Sequence, residues 1–89
     1  MARGTSHRVT SSEEIKDSCG TVWAVHVECT GSAGTVVIRD GGAGGTVMLS
    51  LDTPADPAMR YPIILPQGLK CNSTIYVIVN NAVAVVHYT

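Results

Sequence analysis

Three histidines, His7, His26 and His87, are the side chains of this sequence best suited to acid–base chemistry or metal binding. His26 lies in the segment TVWAVHVEC, and Glu28 follows two residues later, so on a β-strand both would point to the same side. An imidazole beside a carboxylate could ligate a metal or orient a general base. Two residues do not make a site, however, and the alternative interpretation is a half-exposed surface pair. The pattern leaves open whether the two residues have any role beyond that pair.

The three cysteines indicate neither a metal site nor a disulfide framework. Cys19, Cys29 and Cys71 are separated by 10 and 42 residues, which matches neither a CxxC motif nor an even number of paired thiols. We expect small buried or half-buried thiols. Cys19 lies between a serine and a glycine, as in a turn, and no neighbour in sequence offers a base that would activate it as a nucleophile.

A glycine-rich stretch, residues 41–45 within RDGGAGGTVMLSL, could be a phosphate-binding loop or a turn. A phosphate loop needs a helix N-terminus behind its glycines and usually a lysine. In the segment that follows, Val47, Leu49 and Leu51 fall on one side and the residues between them on the other, which is the period of a strand. The glycines therefore predict a hairpin turn, and the missing helix also excludes a dinucleotide-binding fingerprint.

Three other features that could bind ligands have simpler interpretations. Asp52 and Asp56 lie close together, but the regular ligand spacing of a calcium-binding loop is absent. Residues 72–74 form a glycosylation acceptor, which carries no meaning without a secretory signal. Trp23 shares a strand face with valines, so we expect it in the core and not on a sugar-stacking platform. The sequence thus predicts no catalytic residue, no cofactor, no metal and no enzyme activity.

The composition is that of a small β-protein. The 89 residues include nine glycines, no phenylalanine, one tryptophan and three tyrosines. A net charge of −1 and a pI near 6.2 provide no basic surface for nucleic acid. The N-terminus does not read as a secretory signal, and no apolar run approaches the roughly 20 residues of a membrane-spanning helix. We therefore expect a protein made in the cytoplasm that binds neither membrane nor nucleic acid.

Strand-like runs separated by glycine, proline and asparagine follow one another at about ten-residue spacing. The six strongest are residues 21–29, 35–39, 46–51, 61–65, 73–79 and 82–88, and weaker ones lie at 7–10 and 14–16. This pattern predicts an all-β fold, a small jelly-roll-like antiparallel β-sandwich of about seven to eight short strands. We expect residues 13–89 to form this single domain and residues 1–12 to form a flexible N-terminal arm.

The connections between these runs contain residues suited to turns. Residues 31–34, 41–45 and 80–81 are predicted as hairpin-like turns, because glycine and asparagine tolerate positive φ. The loop at residues 53–58 contains prolines that cannot join a central ladder, so it is predicted to carry the chain from one sheet to the other.

The last two strands are apolar on both faces, whereas a strand at the surface of a thin sandwich normally alternates apolar with polar residues. The 89-residue chain has little protein left to cover an outer face. We therefore predict that one face of these strands is an oligomer interface. The candidate interface residues are Tyr76, Ile78, Ala84, Val86 and Tyr88.

The order of these motifs resembles that of small all-β virion proteins of tailed bacteriophages. The similarity rests on glycine turns followed by alternating runs, and it covers roughly residues 14–89. The matching positions are residues 20–27, 34–41, 45–49, 67–69 and 83–88. Residues 70–72 depart from the pattern, because a valine-rich continuation would be expected there, and this puts the length of that strand in doubt.

The resemblance implies a capsid decoration or cement subunit, commonly trimeric, that binds the major capsid protein or another virion protein. A head-fibre, tail or head-completion module and a carbohydrate-binding or receptor-binding β-sandwich are the alternatives. Aromatic side chains exposed on one sheet face would favour the carbohydrate module. The N-terminal arm, with Arg3, His7 and Arg8, is the expected tether to the capsid and would become ordered only on binding. The expected location is the virion.

Overall fold

The computed structural model describes residues 5–56 and 59–89, and these form eight strands and no helix. The strands are β1 (Thr5–Val9), β2 (Glu13–Lys16), β3 (Gly20–Cys29), β4 (Gly34–Asp40), β5 (Thr46–Thr53), β6 (Arg60–Cys71), β7 (Ile75–Asn80) and β8 (Ala82–Tyr88). The predicted all-β class is therefore confirmed. Strand β6 extends well beyond the predicted residues 61–65, since its two prolines are tolerated in a strand at the edge of a sheet. Nowhere in the described part of the chain is there a helix that could cross a bilayer.

The eight strands form two antiparallel sheets with jelly-roll order. Sheet A has the order β1-β8-β3-β6, and sheet B has the order β2-β7-β4-β5. Strand β1 thus lies beside β8, β2 beside β7, β3 beside β6 and β4 beside β5. This arrangement results when one long hairpin, β1–β4 against β5–β8, wraps into two facing sheets. The predicted jelly-roll-like sandwich is confirmed.

Most connections carry the chain from one sheet to the other. The loop after β5 does so, as predicted for residues 53–58, of which the structure describes 53–56. Residues 41–45 join β4 to its neighbour β5 and form the predicted hairpin. The hairpin prediction is wrong for residues 31–34 and 80–81, because β3 and β4, and likewise β7 and β8, belong to different sheets. Asn81 does have the expected positive φ, at 49°, but turn chemistry alone does not determine which sheet the next strand joins.

The hydrophobic core lies between the sheets and consists mostly of valine. A β-branched side chain suits this position because it packs well against its neighbours on a pleated surface. The buried cluster comprises Val9, Val22, Val25, Val27, Val36, Ile38, Cys71, Ile75, Val77, Val79, Ala82, Ala84 and Val86. All three cysteines are free thiols; Cys29 and Cys71 are buried as expected, whereas Cys19 is exposed.

The N-terminal segment belongs to the sandwich from residue 5 onwards. Thr5–Val9 pairs with β8 along its whole length, and Val9 is fully buried opposite Ala84. The predicted flexible arm of residues 1–12 is therefore corrected, because burial of Val9 and the ladder to β8 fix this segment. Arg3, one of the predicted tether residues, lies outside the described residues.

Two bulges change the faces predicted from simple alternation. In β3 the register shifts between Val22 and Ala24, so Val22 points into the core and Trp23 is 42% exposed. The prediction of a buried Trp23 is thus wrong. In β5 the register shifts opposite Ile38, so Val47 is exposed while Met48 packs against the core. An extra residue in one strand reverses the alternation beyond it.

The Asp40 carboxylate fixes the loop between β6 and β7. It accepts hydrogen bonds from the backbone N–H groups of Asn72 at 2.9 Å and Ser73 at 2.8 Å, and a longer one from Thr74 at 3.4 Å. These donors, Asn72 first, hold the pKa of the Asp40 carboxyl below its ordinary value of 3.8. The β4–β5 and β6–β7 loops are joined in this way at one end of the sandwich.

We expect Asp40→Asn to reduce the acid sensitivity of the fold. A carboxyl whose pKa is depressed by folding stabilises the protein above its unfolded pKa, and this contribution disappears as the pH falls through the folded pKa. Thermal melting from about pH 5 to pH 2 should therefore show a shallower loss of stability in the variant than in the native chain. Asp52→Asn, which removes the same charge from an exposed position on β5, is the control. An unchanged pH dependence in Asp40→Asn would contradict this role.

Candidate functional site

The outer face of sheet A carries most of the polar side chains that could act together. The register of its four strands places these side chains in three cross-strand rows. The first row contains Ser6, His87, Ala24 and Ile64; the second contains Arg8, Val85, His26 and Pro62; the third contains Val83, Glu28 and Arg60. Apolar side chains occupy much of the surface, and the charged and imidazole groups are interspersed among them.

His26 and His87 form an imidazole pair on this face. Their ring centroids are 5.1 Å apart in an edge-to-face arrangement with an interplanar angle of 73°. The hydroxyl Oγ of Ser6 lies 2.7 Å from Nδ1 of His87, and this hydrogen bond fixes the orientation of that ring. The pairing of two histidines from β3 and β8 was not predicted, because it depends on the strand register.

Glu28 shares the face of His26, as predicted, but its carboxylate contacts two arginines instead. Its Oε2 accepts a hydrogen bond from Nη1 of Arg8 at 2.5 Å, and its Oε1 lies 3.4 Å from Nε of Arg60. Glu28 is therefore part of a network of ion pairs with these arginines and is not a carboxylate that orients an imidazole base. Because both arginines are largely exposed, each pair contributes at most about 1 kcal/mol to stability.

A cleft of about 240 Å³ lies beside this network, where β3 meets β6. Charged, imidazole, aliphatic and aromatic side chains all contribute to its lining. The lining residues include His26, Glu28, Arg60, Tyr61, Pro62 and Val85. Burial raises the pKa of the Tyr61 phenol, and the nearby Cys29 thiol adds to the shift. The cleft therefore offers cationic donors, one carboxylate acceptor and apolar contact surface within a small space.

The described residues do not bring together a metal-binding cluster. Among residues 5–56 and 59–89 there is no group of three or more histidine, cysteine, aspartate or glutamate side chains that could hold an ion. Asp52 lies on β5 and is exposed on the outer face of sheet B.

The predicted interface residues occupy three kinds of position. Tyr76 and Ile78 point outward from sheet B, since the alternate residues of β7 are buried. Ala84 and Val86 have no exposed surface and belong to the core, so the prediction is corrected for these two. Tyr88 packs against the core cluster and donates a hydrogen bond from its hydroxyl to the carbonyl of Ile15 at 3.1 Å, which links the two sheets.

The outward residues of sheet B form a second surface, which has apolar side chains at its centre. Ile78 lies opposite Val37 on β4, and Tyr76 lies opposite Arg39. We call Val37, Tyr76 and Ile78 the sheet B strip. All three side chains are half-buried within the single chain, and charged residues such as Asp52 lie on the neighbouring edge strand.

The predicted tether residues within the described chain have partners inside the sandwich. Nε2 of His7 is hydrogen-bonded to the Glu13 carboxylate on β2, and Arg8 forms the ion pair with Glu28 described above. Both residues belong to a paired strand, so the expectation that they become ordered only on binding is wrong for them.

Sequence reasoning did not find Arg60 or Ser6 as members of the site. Arg60 lies 32 residues after Glu28, and Ser6 lies 81 residues before His87. Only the strand order brings these side chains together. No local pattern around either residue distinguishes it from an ordinary surface position.

Comparison with known proteins does not assign the chain to a family. No family description matches it, and no curated protein is similar enough to count as a relative. The strand order and the two outer surfaces therefore carry the functional argument.

Proposed function

We propose that this chain is a non-enzymatic structural subunit of a bacteriophage virion, of the capsid decoration or cement type. The observation that carries the proposal is the complete jelly-roll order within an 89-residue chain. Jelly rolls recur in viral capsid domains and lectins, where broad sheet faces and loops serve as contact surfaces. The resemblance of the glycine turns and alternating strands to those of tailed-phage proteins supports the same role. The fold alone does not determine the function, because one fold hosts many functions.

The sheet B strip supports self-association as part of this proposal. It places three half-buried apolar side chains next to one another on the outer face of sheet B. Contiguous apolar surface on a small protein is commonly an interaction site. We propose that the chain associates as a homotrimer through this strip, and that the opposite face, on sheet A, remains free for another virion protein such as the major capsid protein.

Sheet geometry limits how the subunit can assemble. The outer faces of sheets A and B point in opposite directions, so a head-to-tail contact of one face with the other would produce an open stack. A closed trimer must therefore use one face together with its adjoining edge. The sheet B strip provides the face, since β7 and β4 are the central strands of sheet B, and the adjoining edge would be β2 or β5.

The test is the protein composition of purified particles from the phage that encodes the chain. Quantitative mass spectrometry should find the chain in a fixed, high ratio to the major capsid protein, and particles made without its gene should lose stability to heat. A few copies per particle would instead identify a fibre, tail or head-completion module. Absence from purified particles would overturn the proposal. Light scattering of the purified chain should give three times the 9.3 kDa monomer mass.

A further inference from the structure

We propose that the cleft between β3 and β6 binds a small hydroxylated carboxylate of the sugar-acid class, such as one uronic acid unit of a glycan. This inference rests on the cleft alone and does not depend on the proposed virion role. Its lining combines a guanidinium, an imidazole and a carboxylate with apolar side chains. Each of these features matches one part of such a ligand.

Arg60 is the group that would recognise the carboxylate of the ligand. Its side chain is 73% exposed, and its ion pair with Glu28 is made through Nε, at 3.4 Å. The terminal N–H groups therefore remain available for a bidentate pair with a planar carboxylate, the geometry in which guanidinium binds best. Exposed His26, on β3, also lines the cleft and can supply a second hydrogen-bond donor.

Glu28 explains why the ligand should also carry hydroxyl groups. Its carboxylate lies in the cleft wall, where it would repel a simple anion unless the ligand offered hydrogen-bond donors. The long 3.4 Å contact leaves Oε1 able to accept a hydrogen bond from a hydroxyl. A sugar acid presents a carboxylate and several hydroxyls on one ring. Its carboxylate can pair with the Arg60 guanidinium while a hydroxyl donates a hydrogen bond to the Glu28 carboxylate.

The size of the cleft and its apolar lining residues fit a single sugar ring. Its volume of about 240 Å³ is below the roughly 300–1,000 Å³ of cavities that hold drug-sized ligands. Pro62 and Val85 provide apolar contact for the C–H face of a sugar, and Tyr61 adds aromatic surface. A longer chain would have to extend out of the cleft over the exposed face of sheet A.

The test is a titration of the isotope-labelled chain with glucuronate, followed by NMR shifts of the backbone amides in phosphate-free buffer. We expect shifts confined to β3, β6 and β8 around the cleft, with affinity about tenfold weaker in Arg60→Gln. Lys70→Gln removes the same charge from an exposed position elsewhere on β6 and should bind within about twofold of the native chain. Amide shifts outside the cleft that match those of the native chain show that each variant is folded.

Two competing ligands separate the sugar-acid assignment from its alternatives. Glucose has the hydroxyls without the charge, and glutarate has carboxylates without the hydroxyls, so each should bind more weakly than glucuronate. Equal binding of glutarate, or tighter binding of an acidic peptide, would overturn the sugar-acid class. Absence of cleft shifts with glucuronate, or equal weakening by Lys70→Gln and Arg60→Gln, would overturn the site itself. None of these outcomes alters whether the chain is found in particles.

Discussion

Replacing Gly34 with alanine is expected to destabilise the fold by about 3 kcal/mol or more, because the new methyl group would overlap backbone atoms. A Cβ at this position would lie 1.9 Å from the carbonyl oxygen of Asn80 and 2.7 Å from that of Asn81. These atoms belong to the connection between β7 and β8, and a backbone carbonyl cannot rotate aside as a flexible side chain can.

The connection against Gly34 is also held in place by hydrogen bonds. Thr30 donates from its hydroxyl to the carbonyl of Asn81 at 2.7 Å, and the side-chain amide of Asn81 donates to the carbonyl of Ala33 at 3.2 Å. Relief of the overlap would therefore require breaking this local network or moving the first residues of β4. Since β4 lies between β5 and β7 in sheet B, its displacement would disturb two ladders.

Gly31 provides the matched control for this experiment. A Cβ at Gly31 would meet no atom within 4 Å, so Gly31→Ala should change the free energy of unfolding by less than about 0.5 kcal/mol. Urea denaturation of the two variants and the native chain measures the difference directly. Equal stability of Gly34→Ala and Gly31→Ala would mean that the close approach of β4 to the β7–β8 connection is absent in solution.

The strands of this fold could be predicted from the sequence because they depend on local composition. The strong alternating runs separated by glycine, proline and asparagine identify the six strands from β3 to β8, and the length of β6 is the main difference. Strands β1 and β2 correspond only to weak runs, and β1 lies in the segment predicted as a flexible arm. The faces were predictable where the alternation is regular, as in β7, whose outward Tyr76 and Ile78 were identified correctly. Regular alternation fails at Trp23, where a bulge reverses the side that the residue faces.

Strand β8 shows why the sequence alone did not identify its inner face. Val83 and Val85 alternate with Ala84 and Val86, so both faces are apolar and neither periodicity nor composition distinguishes them. The distinction comes from the partners, since Ala84 and Val86 face the core from the middle of sheet A. The candidate site depends on the same long-range order, because its side chains come from four strands.

Val86 and Ile78, both predicted as interface residues, should respond in opposite ways to substitution by lysine. Val86 is fully buried, and an unpaired lysine there would have to be neutralised or exposed at a cost of roughly 4–7 kcal/mol. This cost is comparable with the whole stability of a small domain, about 5–15 kcal/mol. We therefore expect Val86→Lys to be largely unfolded, with loss of the β-sheet circular dichroism signal and of cooperative melting.

Ile78→Lys places the same side chain on the outer face of sheet B, where its ammonium group can reach water. We expect this variant to remain folded, with a stability change of about 1 kcal/mol, and to be monomeric in light scattering because the charge disrupts the sheet B strip. A folded, monomeric Val86→Lys would restore Val86 to the interface and contradict its burial. A folded Ile78→Lys that has the mass of the proposed homotrimer would exclude the strip as the contact surface, because a lysine cannot be desolvated there without weakening the assembly.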